Sequence, residues 1–252
     1  MRVKHILVTS FNRWLKAGST FTKGLDNDWL NYRWKIFTRF TVPSIAGQSN
    51  NDFDWVIMCH ERSPTWLRER AKTLELPCRV RFSFNQNDPA LDDLNDPSLD
   101  AVLSTRIDSD DAFHRCAMAR VRESFEADPY SYEILNFEIG YQYDSLGERL
   151  AVVRRISPPF GTKINLPPIL DPLDTGGRHD TLHKKYVYKN ISHGDPMFLI
   201  VIHDANIQSK IYPTASFASR SLSQHILREA FNITPHLKSQ EEVVEKTTKL
   251  RD

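Results

Sequence analysis

Short apolar runs alternate with stretches of helical spacing through the first half of the chain. Val3-Lys-His-Ile-Leu-Val-Thr9 is rich in strand formers, and a polar-aromatic loop, Ser10-Phe-Asn-Arg-Trp14, follows it. From Trp29 to Phe40 the apolar side chains fall at Trp29, Leu30, Trp34, Ile36, Phe37 and Phe40. That spacing predicts an amphipathic helix stopping near Pro43. Phe53 to Cys59 reads as a second strand, Thr65 to Leu74 as a second helix and Cys78 to Phe84 as a third strand. A stretch rich in Asn, Asp and Pro from Asn85 to Asp100 has room for a short helix. After it come a strand over Ala101 to Ile107 and a helical pattern over Ala112 to Glu126. Strands and helices alternating at these lengths imply a mostly parallel sheet with right-handed crossovers. The loops after the first and fourth strands then share one sheet edge, the edge at which ligands of such sheets gather.

Beyond residue 130 the pattern changes. Glu133 to Gly140, Arg149 to Arg154 and Met197 to His203 read as strands joined by irregular loops, which predicts a mixed or antiparallel part. The run from Ser157 to Arg178 holds five prolines and three glycines, too many for regular elements, and reads as a loop lining or covering a site. His179, His183 and His193 read as loop residues. Leu222, Ile226, Leu227 and Phe231 have helical spacing, and a charged tail from Lys238 to Asp252 follows. Neither an internal repeat nor a linker interrupts the chain, which reads as one unit.

Charge and cysteine usage narrow the function classes. Lys plus Arg number 33 against 32 Asp plus Glu, a net charge of +1. No bulk electrostatic signal therefore argues for nucleic acid or a polyacidic partner. The 252 residues suffice to bury roughly three quarters of the unfolded surface. Cys59, Cys78 and Cys116 are odd in number and widely spaced, which suits reduced thiols in a cytoplasmic protein. The first residues show neither a signal-peptide core nor a cleavage site. No stretch reaches the roughly 20 apolar residues of a membrane span, while peripheral attachment stays open.

The densest candidate chemistry is Thr105-Arg-Ile-Asp-Ser-Asp-Asp111, where an apolar run breaks into three carboxylates. Asp108 and Asp110, two residues apart on an extended or turning backbone, can face one hard cation, and Mg²⁺ and Mn²⁺ share a preference for oxygen ligands. The alternative is that Asp108, Ser109 or Asp110 caps the following helix by accepting backbone N–H bonds.

Seven pieces stand in order along the chain: Ser10-Phe-Asn-Arg13, Thr41-Val-Pro-Ser-Ile-Ala-Gly-Gln48, Phe53-Asp-Trp55, Thr105-Arg-Ile-Asp-Ser-Asp-Asp-Ala112, Asn136-Phe-Glu-Ile-Gly-Tyr-Gln142, Pro159-Phe160 and Val201-Ile-His-Asp-Ala-Asn206. Together they resemble the rhamnosyltransferase family, glycosyltransferases of the GT-A fold with a D-x-D motif. The resemblance spans about residues 5 to 207. It implies an α/β nucleotide-diphospho-sugar transferase fold, with a mostly parallel central sheet flanked by helices and a smaller mixed C-terminal part. Residues 1–128 would form the nucleotide-sugar half, 129–220 the acceptor side, and 221–252 a C-terminal helix and tail.

The resemblance also implies a nucleoside-diphosphate sugar as donor, a saccharide or related acceptor, and Mn²⁺ or Mg²⁺ between the acids and the diphosphate. Asp108, Asp110, Asp111 and His203 are the implied metal residues, with Asp110 foremost. Asp111 could equally hold a water, contact the sugar or cap a helix. Thr9, Phe11 and Asn12 would form the base pocket, with burial of Phe11 as the alternative. Arg13 and Arg106 would approach the phosphates or the base, or else form structural ion pairs. Trp14 is the one tryptophan placed to stack on a sugar. Such enzymes often place an Asp after the second strand, whereas this chain has Cys59-His-Glu-Arg-Ser-Pro64, leaving Glu61 as a substitute. For a general base the Pro-rich loop offers Asp171 and Asp174, and neither stands out from solvated loop acids. Two rival readings remain: a catalytically inactive binding module of the same fold, and a metal-dependent nucleotidyltransferase or phosphohydrolase. The second usually needs a Gly- and Lys-rich phosphate loop that is not evident here.

Overall fold

The computed structural model describes residues 1–13, 24–85, 96–157, 160–167, 171–204, 211 and 215–234. Strand β1 (Val3–Ser10) pairs in parallel with β2 (Asp54–Met58) on one side and β4 (Ala101–Arg106) on the other, and β3 (Arg79–Ser83) extends the sheet beyond β2. Ile6 and Val8 pack with Val56, Met58 and Val102 on one face, while Leu7, Trp55, Ile57 and Leu103 join the larger core on the other. Burial on both faces explains why these strands read as continuous apolar runs.

Helix α1 (Asn27–Ile36) is capped by Asp26, whose side chain accepts the Trp29 N–H. It does not stop at Pro43. A π turn, Phe37–Thr41, carries it into α2 (Val42–Ala46), with Pro43 in the first turn of α2. The Val42 N–H reaches back to the Phe37 carbonyl in this wider turn, so the ladder is already reset where proline has no N–H to give. Helix α3 (Thr65–Lys72) connects β2 to β3 as the periodicity predicts.

Three further departures reshape the second half. The helix expected from Ala112 begins only at Ala117, as α4 (Ala117–Ala127); Ala112–Phe113 is instead a two-residue strand, β5. The single strand expected over Glu133 to Gly140 is two, β6 (Ile134–Asn136) and β7 (Ile139–Asp144), which enter different sheets. Within the Pro-rich run lies β9 (Thr162–Asn165), antiparallel between β4 and β6. Its side chains alternate and its flanks carry the prolines, so its four residues escape a composition count.

With β10 (Tyr188–Asn190) beside β6, the first sheet has the order β10-β6-β9-β4-β1-β2-β3, parallel throughout except for β9. The second sheet orders β5-β11-β7-β8, with β8 at Arg149–Arg154 and β11 at Phe198–Ile202. Gly140 of β7 admits the Phe198 ring so closely that a Cβ there would lie 2.3 Å from it. That ring stacks on Phe160 at a centroid distance of 4.4 Å. His179 and His183, expected in a loop, fall in a 3₁₀ turn and in the short helix α5 (Leu182–Lys185). Helix α6 (Arg220–Phe231) lays Leu227 and Phe231 against the second sheet and ends on Asn232 in the left-handed conformation. The result is the α/β architecture that the alternating pattern implies: a mostly parallel sheet flanked by helices, with a smaller mixed sheet attached.

Candidate active site

The Asp108–Asp111 segment occupies the seam between the two sheets. The Ile107 N–H bonds the Val8 carbonyl at 3.0 Å, continuing the β1–β4 ladder by one residue. The chain then turns, closed by Asp111 N–H to Asp108 O at 3.2 Å, and leaves as β5 into the second sheet. None of the acids caps α4, whose N-cap is Cys116. The capping alternative therefore falls.

Asp110 is the centre of this turn. Its Oδ2 accepts from Arg33 Nη1 at 2.8 Å and lies 3.2 Å from His203 Nε2. Arg33 Nη2 also donates to Ser109 Oγ at 2.6 Å. The side chains of Asp110, Arg33 and His203 are 14%, 12% and 2% exposed, so Asp110 and Arg33 interact through little water. Burial disfavours the Asp110 carboxylate, but the Arg33 guanidinium and His203 outweigh it and hold the carboxyl well below the usual range. Tyr32, beside Arg33 on α1, donates its hydroxyl to Asp204, and its oxygen lies 3.2 Å from His203 Nδ1. Burial and the Asp204 carboxylate both raise the Tyr32 phenol pKa.

The other two acids face elsewhere. Asp111, 5% exposed, accepts the Val201 N–H of β11 at 3.0 Å. Burial, followed by the Asp110 and Asp108 charges, pushes its carboxyl well above the usual range. Its bond joins the turn to β11 two residues before His203. Asp108, on the solvent side, takes the Arg106 guanidinium at 3.0 and 3.3 Å, so Arg106 forms the local ion pair that its sequence position left open.

The loop after β1 differs from the expectation. Thr9 is fully buried and its hydroxyl receives the Trp55 indole N–H at 3.0 Å. Phe11 is 3% exposed, its ring edge-on to Trp34 and Phe37. The Asn12 amide is used internally, accepting the His60 N–H and donating to Gly24 O and Ser63 Oγ. These three side chains build the loop and present no face for a base. Burial wins because strand one ends inside the packed layer of α1 and the π turn.

Arg13 does reach a cavity, of about 380 Å³, at the C-terminal ends of β1, β2 and β3. Met58, His60, Glu61, Ser83, Phe84 and Asn85 line it with Arg13. Arg68 shapes its rim by donating to the Glu61 and Ser63 carbonyls and lying 4.1 Å from the Phe84 ring centre. The base candidates Asp171 and Asp174 are engaged within their own segment. Asp171 accepts the Leu173 N–H at 2.9 Å, and Asp174 pairs with Lys163 and accepts the Gly176 N–H. Trp14, Ala205 and Asn206 lie outside the described residues.

Tyr32, Arg33 and Asp204 carried no motif. A signal did exist for Arg33, which falls three residues after Leu30 and four before Phe37, on the apolar stripe of α1. A charge on a buried stripe needs a buried partner.

A divalent ion fits part of this arrangement. Asp110 Oδ2 and His203 Nε2 converge and are donor types that Mn²⁺ and Mg²⁺ accept. Among the described residues no group of three His, Cys, Asp or Glu side chains converges on one point, so the remaining positions would fall to ligand oxygens and water. Also among the described residues, no helix is long and apolar enough to cross a membrane.

Comparison with known proteins places the D-x-D turn inside a family match. The solved structures that resemble the chain include S. aureus TarS 1–349 in complex with UDP-GlcNAc, with 12% identity, 91% of this chain and 71% of that chain covered, and a TM-score of 0.44. For the same protein in complex with UDP the identity is 11%, the coverage 80% and 61%, and the TM-score 0.43. The chain thus spans about three fifths of the length of that UDP complex's protein. HddC from Yersinia pseudotuberculosis shares 12% identity over 86% of this chain and 92% of its own, with a TM-score of 0.33. No curated protein matches the sequence. The model of the family described as "Putative rhamnosyl transferase" matches residues 21–137, a span that contains α1, β2, β4 and all three acids of the turn. Over residues 21–137 the chain is similar to that family.

Proposed function

We propose that the chain moves a sugar, rhamnose by the family description, from a nucleoside-diphosphate donor to a saccharide acceptor with Mn²⁺ or Mg²⁺. The observation that carries this reading is the meeting of Asp110, His203 and Arg33 at the C-terminal edge of a parallel sheet whose strands β1 to β3 also end at a cavity. The base would enter that cavity, where Phe84 offers an apolar face and Glu61, His60 and Asn85 offer polar groups. Its diphosphate would run toward the Asp108–Asp111 turn, with Arg13 and Arg106 as the cations along the way.

Breaking the bond from sugar to phosphate develops negative charge on the leaving diphosphate. A divalent ion at Asp110 and His203 supplies Lewis-acid stabilisation of that charge when bound. Arg33 keeps Asp110 ionised and aimed, and Asp111 fixes the turn to β11 so that His203 stays in register with it. Asp171 and Asp174 remain the candidate acceptor-activating bases, Asp174 paired with Lys163 of β9.

The test is a thermal-shift panel of nucleoside diphosphates and their sugars, with and without Mn²⁺, on wild type and Asp110→Ala. A ligand at one hundred times its Kd raises stability by about 2.7 kcal/mol. We expect a metal-dependent shift for one nucleotide that the variant lacks. A panel with no shift for any nucleotide would refute the donor site.

A further inference from the structure

The chain turns tightly after β2 and forms one wall of the cavity at the ends of β1 to β3. The Ser63 N–H closes on the His60 carbonyl at 3.0 Å, and Asn12 Oδ1 accepts the His60 N–H at 2.9 Å. Arg68 donates to the Glu61 and Ser63 carbonyls. These main-chain bonds set His60 and Glu61 side by side on the wall before any ligand arrives. The Arg62 N–H donates to His60 Nδ1 at 3.0 Å. A ring nitrogen that accepts carries no proton, so the imidazole keeps its N–H on Nε2 and offers the cavity a donor. Glu61 offers the opposite. Among the described residues no hydrogen bond or ion pair engages its carboxylate, whose two oxygens accept and cannot donate when ionised. The Ser83 hydroxyl, also on the wall, already gives its hydrogen to the Asn85 carbonyl at 2.7 Å.

Building on the donor reading of this cavity given above, we infer that its wall selects guanine, so that the donor is a guanosine-diphosphate sugar. Guanine presents one acceptor, O6, beside two donors, N1–H and the 2-amino group. The His60 Nε2–H meets O6, and the two Glu61 oxygens meet the two donors. Uracil and thymine present a single N–H between two carbonyls, so the second carboxylate oxygen would face a carbonyl. Adenine and cytosine carry one amino group beside a ring acceptor, and they too fill one carboxylate oxygen only. A polar atom left unpaired when the pocket closes on its ligand loses affinity, and that loss is the basis of selection. Two bonds from one planar side chain to one base edge are also the contact that separates bases most sharply. Phe84 supplies the apolar surface against which the ring system packs.

The experiment is isothermal titration calorimetry of the full chain with GDP, UDP, dTDP, CDP, ADP and inosine diphosphate in the presence of Mn²⁺, on wild type and Glu61→Gln. Inosine diphosphate is GDP without the 2-amino group. Glu61→Gln keeps the side-chain length and exchanges one acceptor oxygen for a donor; because Glu61 is exposed, the variant should fold, which its melting temperature without ligand checks. We expect wild type to bind GDP about 10-fold or more tighter than the other bases, with inosine diphosphate weaker than GDP by about 10-fold. In Glu61→Gln, GDP should lose about 10-fold and the gap between GDP and inosine diphosphate should close. Tighter binding of UDP, dTDP, CDP or ADP than of GDP overturns the inference and leaves the donor reading standing. Equal binding of GDP and inosine diphosphate by wild type, or a gap between them that survives in Glu61→Gln, overturns it as well. If no nucleotide binds wild type, the donor reading itself fails, and the choice of base falls with it.

Discussion

Replacing Arg33 by Gln removes the guanidinium from Asp110 while retaining an amide of similar length. Two bonds go, one to Asp110 Oδ2 at 2.8 Å and one to Ser109 Oγ at 2.6 Å. Breaking one side of a buried ion pair costs about 3–5 kcal/mol, because the remaining charge stays buried without its partner. With side-chain exposures of 12% and 14% some water reaches the pair, so the loss should sit near the lower bound, about 3 kcal/mol at pH 7. Urea unfolding with linear extrapolation measures it.

The pH dependence separates this charge effect from lost packing. In wild type the Asp110 carboxyl is held low in the folded state. Its stabilising contribution is complete above the unfolded value of about 3.9 and is lost as pH falls through the folded value. It adds no slope between pH 7 and 5. In Arg33→Gln, burial acts on Asp110 with much less opposition, and the carboxyl moves above its unfolded value. Folded protein then takes up a proton that unfolded protein does not, so acidification stabilises the variant relative to wild type, by up to about 1.4 kcal/mol per pH unit. The gap should narrow from pH 7 to pH 5. A gap that is constant over this range, or smaller than about 1 kcal/mol at pH 7, would refute the assignment of Arg33 as the partner that keeps Asp110 charged.

Three more predictions test other parts of the structure. Asp111→Asn keeps an oxygen for the Val201 N–H and removes a buried charge beside Asp110 and Asp108, so stability at pH 7 should rise by about 1 kcal/mol; a Mn²⁺ affinity that drops more than tenfold in this variant would instead assign Asp111 to the ion. Gly140→Ala forces a methyl group into the Phe198 ring and should cost about 1–3 kcal/mol in urea unfolding, whereas an unchanged midpoint would contradict the packing of β7 on that ring. Burial, with Arg122 second, lowers the His5 pKa to about 3, so unfolded protein binds a proton that folded protein refuses. Wild-type stability from this group is full above about pH 6.5 and declines by up to about 1.4 kcal/mol per pH unit as pH falls. His5→Gln, which can still bond Thr105, should flatten that decline; superimposable slopes would refute it.

The strands of the parallel sheet were legible because burial on both faces writes a continuous apolar run, and β8 was legible because Leu150 to Val153 form an apolar run bounded by Arg149 and Arg154. Residues whose place depends on distant partners were not. Ala112-Phe113 follows helical spacing in sequence, yet pairing with Phe198 and Leu199 draws it into a sheet. Phe137 and Glu138 interrupt what reads as one strand, because the chain passes there from one sheet to the other. At the site, Asp110 and His203 were legible through a motif and a strand end. Thr9 and Phe11 misled because a loop after strand one reads alike whether its side chains turn inward or outward. Tyr32 and Asp204 were silent because a hydrogen bond across 172 residues leaves no local pattern.

The seam position of the Asp108–Asp111 turn bears on how the molecule unfolds. The turn continues the first sheet through Ile107 and is pinned to the second through Asp111 and Val201, while His203 arrives from β11. A ligand held by Asp110 and His203 would add a further tie between two sheets already joined by side-chain packing and by the Asp111–Val201 hydrogen bond. Saturating the site should therefore slow amide exchange in β4 and in β11 together, raising both toward the exchange rate of global opening and merging two cooperative units into one.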